Sequence, residues 1–345
     1  MGTFAETMPD RRTLESAVAS ACRAPSLHNS QPWRWVLGTN ELRLFSDPER
    51  ILPATDPSGR QMVLSCGAVL HHLQTALLAR GWAADIARLT PASYHDLLAT
   101  LRFRRTPAVP EHALRMAAAI ERRRTERLPM DAPPQWPRTV ARLQDLVEGT
   151  GLQLGVIDEH QRPALEDLSR RISGLRRTDP DYEAELTWWT GQAVYPEGVP
   201  ADALPPTHRT VATDREFPAG TAGGGRDAPD RAALLLLSTT TDTRLDWLRC
   251  GEALSVVLLL CADEGLASCP VTHLTESVAP RAFLRRLGGG HHIPQVLIRV
   301  GVGAPGASSP PTPRRPVSEI LVRDHPTQQD RMQGGVNRSD RPTGP

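Results

Sequence analysis

Apolar residues recur along this chain with two periods, and their alternation lays out its elements. Residues 13–23 carry Leu14, Ala17, Val18 and Ala21 at helical spacing and predict a helix. Residues 33–45 alternate and predict two strands around a Gly38-Thr39-Asn40 turn. Asp47-Pro48 breaks that pattern, and Asp56-Pro57-Ser58-Gly59 marks a turn and a helix start. The helix predicted at 61–81 has an apolar stripe of Met62, Ala68, Val69, Leu73, Ala76, Leu77 and Leu78, with Gly81 at its C-cap. A strand is expected at 85–89. Residues 111–124 predict a helix with a basic end, and 139–148 another, closed by Gly149-Thr150-Gly151. A strand at 152–157 and a helix at 163–175 follow. Further on come a buried strand at 232–238, a strong helix at 245–265 and a strand at 295–300. Residues 312–322 are marked by Pro and Arg and end in a short extended run.

Two stretches lack this patterning. Residues 178–229 carry Tyr182, Trp188-Trp189, Tyr195, Gly198 and Gly223-Gly224-Gly225 with weak periodicity. So long a stretch is expected to be a functional flap or disordered, and its aromatic residues give it surface with which to dock. Residues 324–345 are polar with almost no apolar positions and are expected to form a disordered tail.

The two strongest helices share more than hydrophobicity. Ser65-Cys66-Gly67-Ala68-Val69-Leu70 matches Arg249-Cys250-Gly251-Glu252-Ala253-Leu254 at an offset of 250 − 66 = 184, and the same offset carries Gly81 onto Gly265. A shared Cys-Gly start and a shared glycine end favour a duplicated unit over coincidence. Two similar halves in one chain imply a pseudo-two-fold structure, the covalent counterpart of a symmetric dimer.

Composition narrows the classes. The 345 residues hold 40 Lys+Arg against 39 Asp+Glu, a formal net charge of +1, which gives no reason to invoke nucleic acid or an anionic membrane. The longest strongly apolar run, 256–262, is too short to span a bilayer. No secretory signal is expected, since the first twelve residues have no apolar core. Cys22, Cys66, Cys250, Cys261 and Cys269 form no C-x-x-C, and an odd number argues against a complete disulfide framework. A reduced, cytoplasmic setting is the expectation.

Several motifs are set aside on physical grounds. Gly301-Val302-Gly303-Ala304-Pro305-Gly306 satisfies G-x-G-x-x-G, but the proline-rich run after it is no helix, and a dinucleotide pyrophosphate needs a helix N-terminus. Gly223 to Gly225 lacks the Lys-Ser/Thr of a P-loop and reads as a hinge. His71-His72 and His291-His292 have no further ligand at metal-binding spacing, so no metal site is assigned. No G-x-S-x-G stands in the chain, and no catalytic side chain is assigned.

Two motifs remain. Ala24-Pro25-Ser26-Leu27-His28-Asn29-Ser30-Gln31-Pro32-Trp33 puts hydrogen-bonding groups on a path stiffened by two prolines. Glu121-Arg122-Arg123-Arg124-Thr125-Glu126-Arg127 reads first as a solvated basic helix end, since arginine there complements the helix dipole. Its planar guanidinium groups also suit phosphate oxygens, with a hydroxyl among them. With Arg314-Arg315, two separated arginine groups could converge on one phosphomonoester.

The proline-tryptophan loop resembles the P-S-x-x-N-x-Q-P-W loop of FMN-dependent nitroreductases, and 123–127 resembles their R-R-S-x-R phosphate motif. Gly265-Leu266 with Pro270-Val271-Thr272-His273 is similar to the segment lining their flavin ring, although Glu-Gly is usual where Thr272-His273 stands here. Arg314-Arg315 resembles their closing basic pair, and the order of motifs resembles the Acg-like branch over roughly residues 13–322.

The resemblance implies an α+β nitroreductase-like sandwich of two pseudo-symmetric halves, 13–110 and 111–323, mimicking a nitroreductase dimer, with a lid within 178–229. Each half keeps the motif the other lacks, so one FMN site per chain is expected. The chain would then be a monomer of pseudo-dimeric architecture. The resemblance gives the phosphate to Arg123, Arg124, Thr125, Arg127 and Arg315, and the flavin to Pro25, Ser26, Leu27 and Asn29 from the opposite half. Pro270, Thr272 and His273 would pass the ring edge. The implied activity is hydride transfer from NAD(P)H through FMN to a nitroaromatic, quinone or similar small acceptor. The alternatives are a lid-closed flavin-holding protein with little turnover, and a tailoring or regulatory module that has lost FMN.

Overall fold

The computed structural model describes residues 8–89, 95–191, 197–223, 228–303 and 311–324. Tyr195, Gly224, Gly225 and the expected tail beyond Asp324 lie outside them. The first half opens with helix α1 (Arg11–Ala21), whose N-cap Asp10 accepts from Thr13 N. Strands β1 (Trp33–Leu37) and β2 (Leu42–Ser46) form the expected hairpin. Helix α2 (Arg60–Leu78) follows, then β3 (Trp82–Arg88) and β4 (Leu97–Arg105).

The second half contains α3 (Glu111–Arg122), α4 (Trp136–Glu148), β5 (Gln153–Ile157), α5 (Arg162–Arg176) and α6 (Pro180–Trp189). It continues with β6 (Ala233–Thr239), α7 (Arg244–Asp263), β7 (Ala267–Val271), α8 (Val278–Leu287) and β8 (Ile293–Gly301). The described chain closes with α9 (Val317–Ile320) and β9 (Leu321–Arg323). Pattern reading missed β4, β7 and α8, and α6 falls inside the stretch whose periodicity looked weak.

Among the described residues the strands form two sheets, ordered β3-β4-β2-β1-β9 and β5-β6-β8-β7. Neighbours are antiparallel except β1 and β9, which run parallel. Strand β9 therefore returns from the end of the second half to complete the first sheet. The first sheet packs on α1 and α2 around Trp33, Trp35 and Trp82. The second sheet is covered on both faces, which explains the unbroken apolar run of β6. Leu235 and Leu237 face α7, whereas Leu234 and Leu236 join the cluster with Leu165 of α5 and Leu284 of α8.

Helices α2 and α7 cross at the centre, and their glycines set the approach. A Cβ on Gly67 would lie 2.0 Å from Leu248 O, and one on Gly251 would lie 1.9 Å from Leu64 O. The contact is reciprocal at the repeat offset, since 248 − 64 and 251 − 67 are both 184. His71 Nδ1 lies 2.7 Å from Ser255 Oγ, again residues 184 apart. Gly81 and Gly265 both take left-handed backbone, with φ of 78° and 75°. The molecule is thus two pseudo-symmetric α+β halves joined through a helix pair. No described helix is long and apolar enough to cross a membrane.

Candidate functional site

The proline-tryptophan loop leaves α1 and crosses the end of α2. Its backbone is strained: His28, Asn29 and Gln31 have φ of 49°, 56° and 49°. Such conformations cost non-glycine residues of order 1–3 kcal/mol each, so the surroundings must hold them. Ser26 Oγ accepts from Gln31 N at 3.0 Å, closing the loop on itself. Asn29 Nδ2 donates to Gly198 O at 2.9 Å and Pro313 O at 3.0 Å. Gln31 Oε1 accepts from Arg315 N at 2.9 Å, and Arg50 Nε donates to Ser30 O at 2.6 Å. The loop is anchored by the second half as well as by its own.

The arginine motif begins as α3 ends. Glu126 N donates to Ser268 O at 2.9 Å, so the segment runs beside β7. Glu126 Oε1 accepts from Leu128 N at 2.9 Å and fixes the turn that follows. The motif thereby reaches the proline-tryptophan loop, about a hundred residues earlier in the chain: Arg123 Nη2 donates to Arg23 O at 3.0 Å.

Two adjoining cavities open between these segments. Both are narrow, with clear space of about 80 Å3 in the larger and about 40 Å3 in the smaller. Pro25, Ser26, Thr125 and Arg127 line both, so the spaces are continuous. The larger is completed by Leu27 and His28, by Gln61, Leu64 and Ser65 of α2, and by Cys269, Pro270 and Thr272. Asp214, Arg215 and Phe217 close one side. The smaller is rimmed by Arg23, Asn29, Arg123, Arg124, Thr312 and Arg314.

Ten of the twelve residues singled out from the sequence line one cavity or the other. Two do not. Arg315 stands 3.8 Å from Asp47 and 3.7 Å from Glu319, and its neighbour Arg314 takes the cavity position instead. His273 is buried beyond Thr272, with Nε2 2.9 Å from Ser169 Oγ. His273 is displaced because the chain turns at Thr272, whose φ of −112° and ψ of −23° are helical, and His273 opens a short helical turn. Arg23, Gln61, Ser65, Asp214, Arg215 and Phe217 carried no sequence signal of their own.

The smaller cavity is strongly cationic. No described carboxylate lines it, while five arginines do. Burial, reinforced by Arg314, Arg124, Arg23 and Arg127, pulls Arg123 down to about 9. Burial, then Arg23, pulls Arg314 down to about 10. Arg123 Nε and Nη1 are buried and have no hydrogen-bond partner among the described residues. Orphaned guanidinium donors in a cluster of like charge call for an anion. Arg314 differs: its donors grip Cys22 O at 2.7 Å, Arg23 O at 3.1 Å and Pro313 O at 2.9 Å, tying the last segment to the loop.

The larger cavity mixes apolar walls with a few polar groups. Burial, then Arg215 and Arg127, holds His28 well below its ordinary value, so its imidazole is neutral. Gln61 Nε2 and His28 Nε2 are buried and have no hydrogen-bond partner among the described residues. Burial pushes the Cys269 thiol up and leaves it protonated. The Phe217 ring meets His28 edge-on at 6.0 Å and lies under the Arg127 guanidinium at 5.4 Å. Arg215 is fixed by Glu276, Tyr182 and Thr272. Burial opposes its charge, but Glu276 and Tyr182 outweigh burial and hold it above its ordinary value.

No family model matches the chain. It is 42% identical over 330 residues to the "Putative NAD(P)H nitroreductase acg" of Mycobacterium tuberculosis H37Rv, covering 93% of this chain and 99% of that protein. The chain belongs to the Acg-like nitroreductases. An uncharacterized protein of the same organism is 44% identical to this Acg-like chain over 338 residues, covering 95% of this chain and 96% of that protein. Among solved structures, a "putative nitroreductase" of Anabaena variabilis covers 86% of the Acg-like chain and 90% of its own, at 9% identity and a TM-score of 0.49. The FMN and NADPH-dependent nitroreductase NfnB of a "sphigopyxis" strain covers 61% of the Acg-like chain and 99% of its own, at 19% identity and a TM-score of 0.42.

Proposed function

We propose that the joined cavities bind FMN and that the chain is an NAD(P)H-dependent oxidoreductase acting on a small oxidised acceptor. The observation carrying this reading is the five-arginine cavity, with its orphaned Arg123 donors, opening into a cleft lined by residues of both halves. Arg123, Arg127 and Thr125 would hold the phosphate, with Arg23, Arg124 and Arg314 supplying charge around it. Pro25, Ser26 and Leu27 would face the ring from one half, and Pro270 and Thr272 from the other. Gln61 and Ser65 would offer polar contacts to its edge.

FMN, when bound, supplies two-electron transfer between a nicotinamide donor and an acceptor such as a nitroaromatic or quinone. The chain's own part is to bind, orient and exclude water. The strained loop fixes Ser26 and His28, and Arg215 and Phe217 close the ring cavity against solvent. The two halves, 13–110 and 111–323, are read as a duplication standing in for a dimer. One site per chain and a monomeric state follow from that reading.

Phe217 favours a second reading, a flavin-holding chain with little turnover. Its ring sits on His28 inside the larger cavity, and the neighbouring Arg215 is clamped by Glu276 and Tyr182. The lid expected within 178–229 would then be closed. Anaerobic NADPH titration separates the two. Bleaching of the flavin band supports the oxidoreductase, and a bound flavin that NADPH cannot bleach supports the closed lid. A colourless protein that does not take up added FMN would contradict both.

A further inference from the structure

A second chamber, of about 400 Å3, lies between α5, α6 and residues 215–218. Arg215 and Phe217 line it and the larger cavity alike, so they form a common wall. Tyr182 and Phe217 give it aromatic sides, and Ile172 and Leu186 aliphatic ones. Its arginines are already engaged. Arg177 forms a bidentate pair with Glu216, with Nε–Oε2 at 2.9 Å and Nη2–Oε1 at 2.7 Å. The Arg176 guanidinium lies over the Tyr182 ring at 4.7 Å and 3.5 Å from Asp179. The chamber therefore suits an uncharged, flat ligand.

His273 adds one polar requirement. Ser169 Oγ donates to Asp214 O at 3.3 Å. With the single Ser169 proton assigned to Asp214 O, Oγ accepts from His273 Nε2 at 2.9 Å. Burial, then Arg215, holds His273 well below its ordinary value and keeps it neutral. A neutral imidazole with its proton on Nε2 leaves Nδ1 as an acceptor. That atom is buried and has no partner among the described residues. An unmet buried acceptor is costly, and a ligand O–H or N–H would satisfy it. Nδ1 is shut from water, so the chamber wall must give slightly as the ligand seats.

We propose that this chamber binds a planar aromatic carrying a hydroxyl, of the phenol or quinol class, with its O–H donated to His273 Nδ1 and its ring beside Tyr182 and Phe217. As a statement of substrate class this rests on the oxidoreductase reading, since a quinol is what a reduced quinone acceptor becomes. The binding itself does not depend on that reading.

The test uses the full chain as purified, titrated by calorimetry with 1-naphthol and with 1-methoxynaphthalene, which has the same ring and no donor. Naphthol should bind about tenfold more tightly, the worth of one buried hydrogen bond. His273→Phe should abolish that preference, and Thr187→Trp, which fills the chamber from an exposed position, should weaken both probes. Equal binding of the two probes by the parent chain would overturn the proposal, and so would a naphthol preference that survives both substitutions. A yellow protein without naphthol preference fails the chamber alone. A colourless protein that keeps the preference fails the flavin reading alone.

Discussion

Arg123 is the residue on which the anion reading turns. Two of its donors are buried with no partner among the described residues, and burial, then four other arginines, depress its pKa. Charge-assisted hydrogen bonds to a phosphate are worth about 1.5–3 kcal/mol each. Arg123→Ala should therefore weaken FMN binding by about tenfold to a hundredfold, read from the flavin retained after dialysis; unchanged occupancy would remove the phosphate assignment. Asp56 gives an independent prediction about stability. It caps α2 by accepting from Gln61 N at 3.0 Å and Met62 N at 2.8 Å, yet burial pushes its carboxyl up to about 6, from an ordinary value of 3.8. Between those values the folded chain keeps a proton that the unfolded chain has released. Stability from this group thus falls as pH rises through the window. The melting temperature of Asp56→Asn relative to the parent should rise from pH 4 to pH 7, and parallel pH profiles would contradict this. At this scale the sequence showed the arginine motif and the proline-tryptophan loop because both concentrate unusual residues in a few positions. It could not show Gln61, Asp214 or Phe217, which are ordinary residues made special by what folds against them. Nor could it choose between Arg314 and Arg315, adjacent residues of one type of which Arg314 lines the cavity.

The α2–α7 pair is the element that holds the site in register, because Gln61, Leu64 and Ser65 of α2 and Leu254 of α7 all line the larger cavity. Gly67→Ala places a Cβ against the Leu248 carbonyl, and overpacking of this kind costs about 1–3 kcal/mol or more. Gly174→Ala in α5 meets nothing within 4 Å and should be neutral or gain up to about 1 kcal/mol. Thermal unfolding of the two variants checks the contrast, and similar melting temperatures would refute the close-approach account. The long helices were legible because their apolar stripes are long and end in glycine. Strand β7 was not, because Pro270 interrupts it. Proline is tolerated there since β7 is an edge strand of its sheet. Helix α8 is short and carries Pro280 in its first turn, so its periodicity covers barely two turns.

At the scale of the whole molecule, the two halves are alike in frame and unlike at the place where a second site would form. Arg88 is the counterpart of Thr272 by the repeat offset, 272 − 88 = 184. Where Thr272 lines the larger cavity, Arg88 makes a bidentate pair with Glu252 of α7 at 2.8 and 2.7 Å, and Gln74 of α2 donates to the same carboxylate at 3.0 Å. The counterpart of Glu252 is Ala68, which has no charge to pair. At the position related by the repeat offset, an ion pair thus stands where the site has Thr272. The measurement that tests this account most directly is the flavin content of the purified chain, from its absorbance spectrum and from cofactor released on denaturation. We expect one FMN per chain in the parent and a large loss in Arg123→Ala. A colourless chain that takes up no added FMN would contradict the account, as would two FMN per chain.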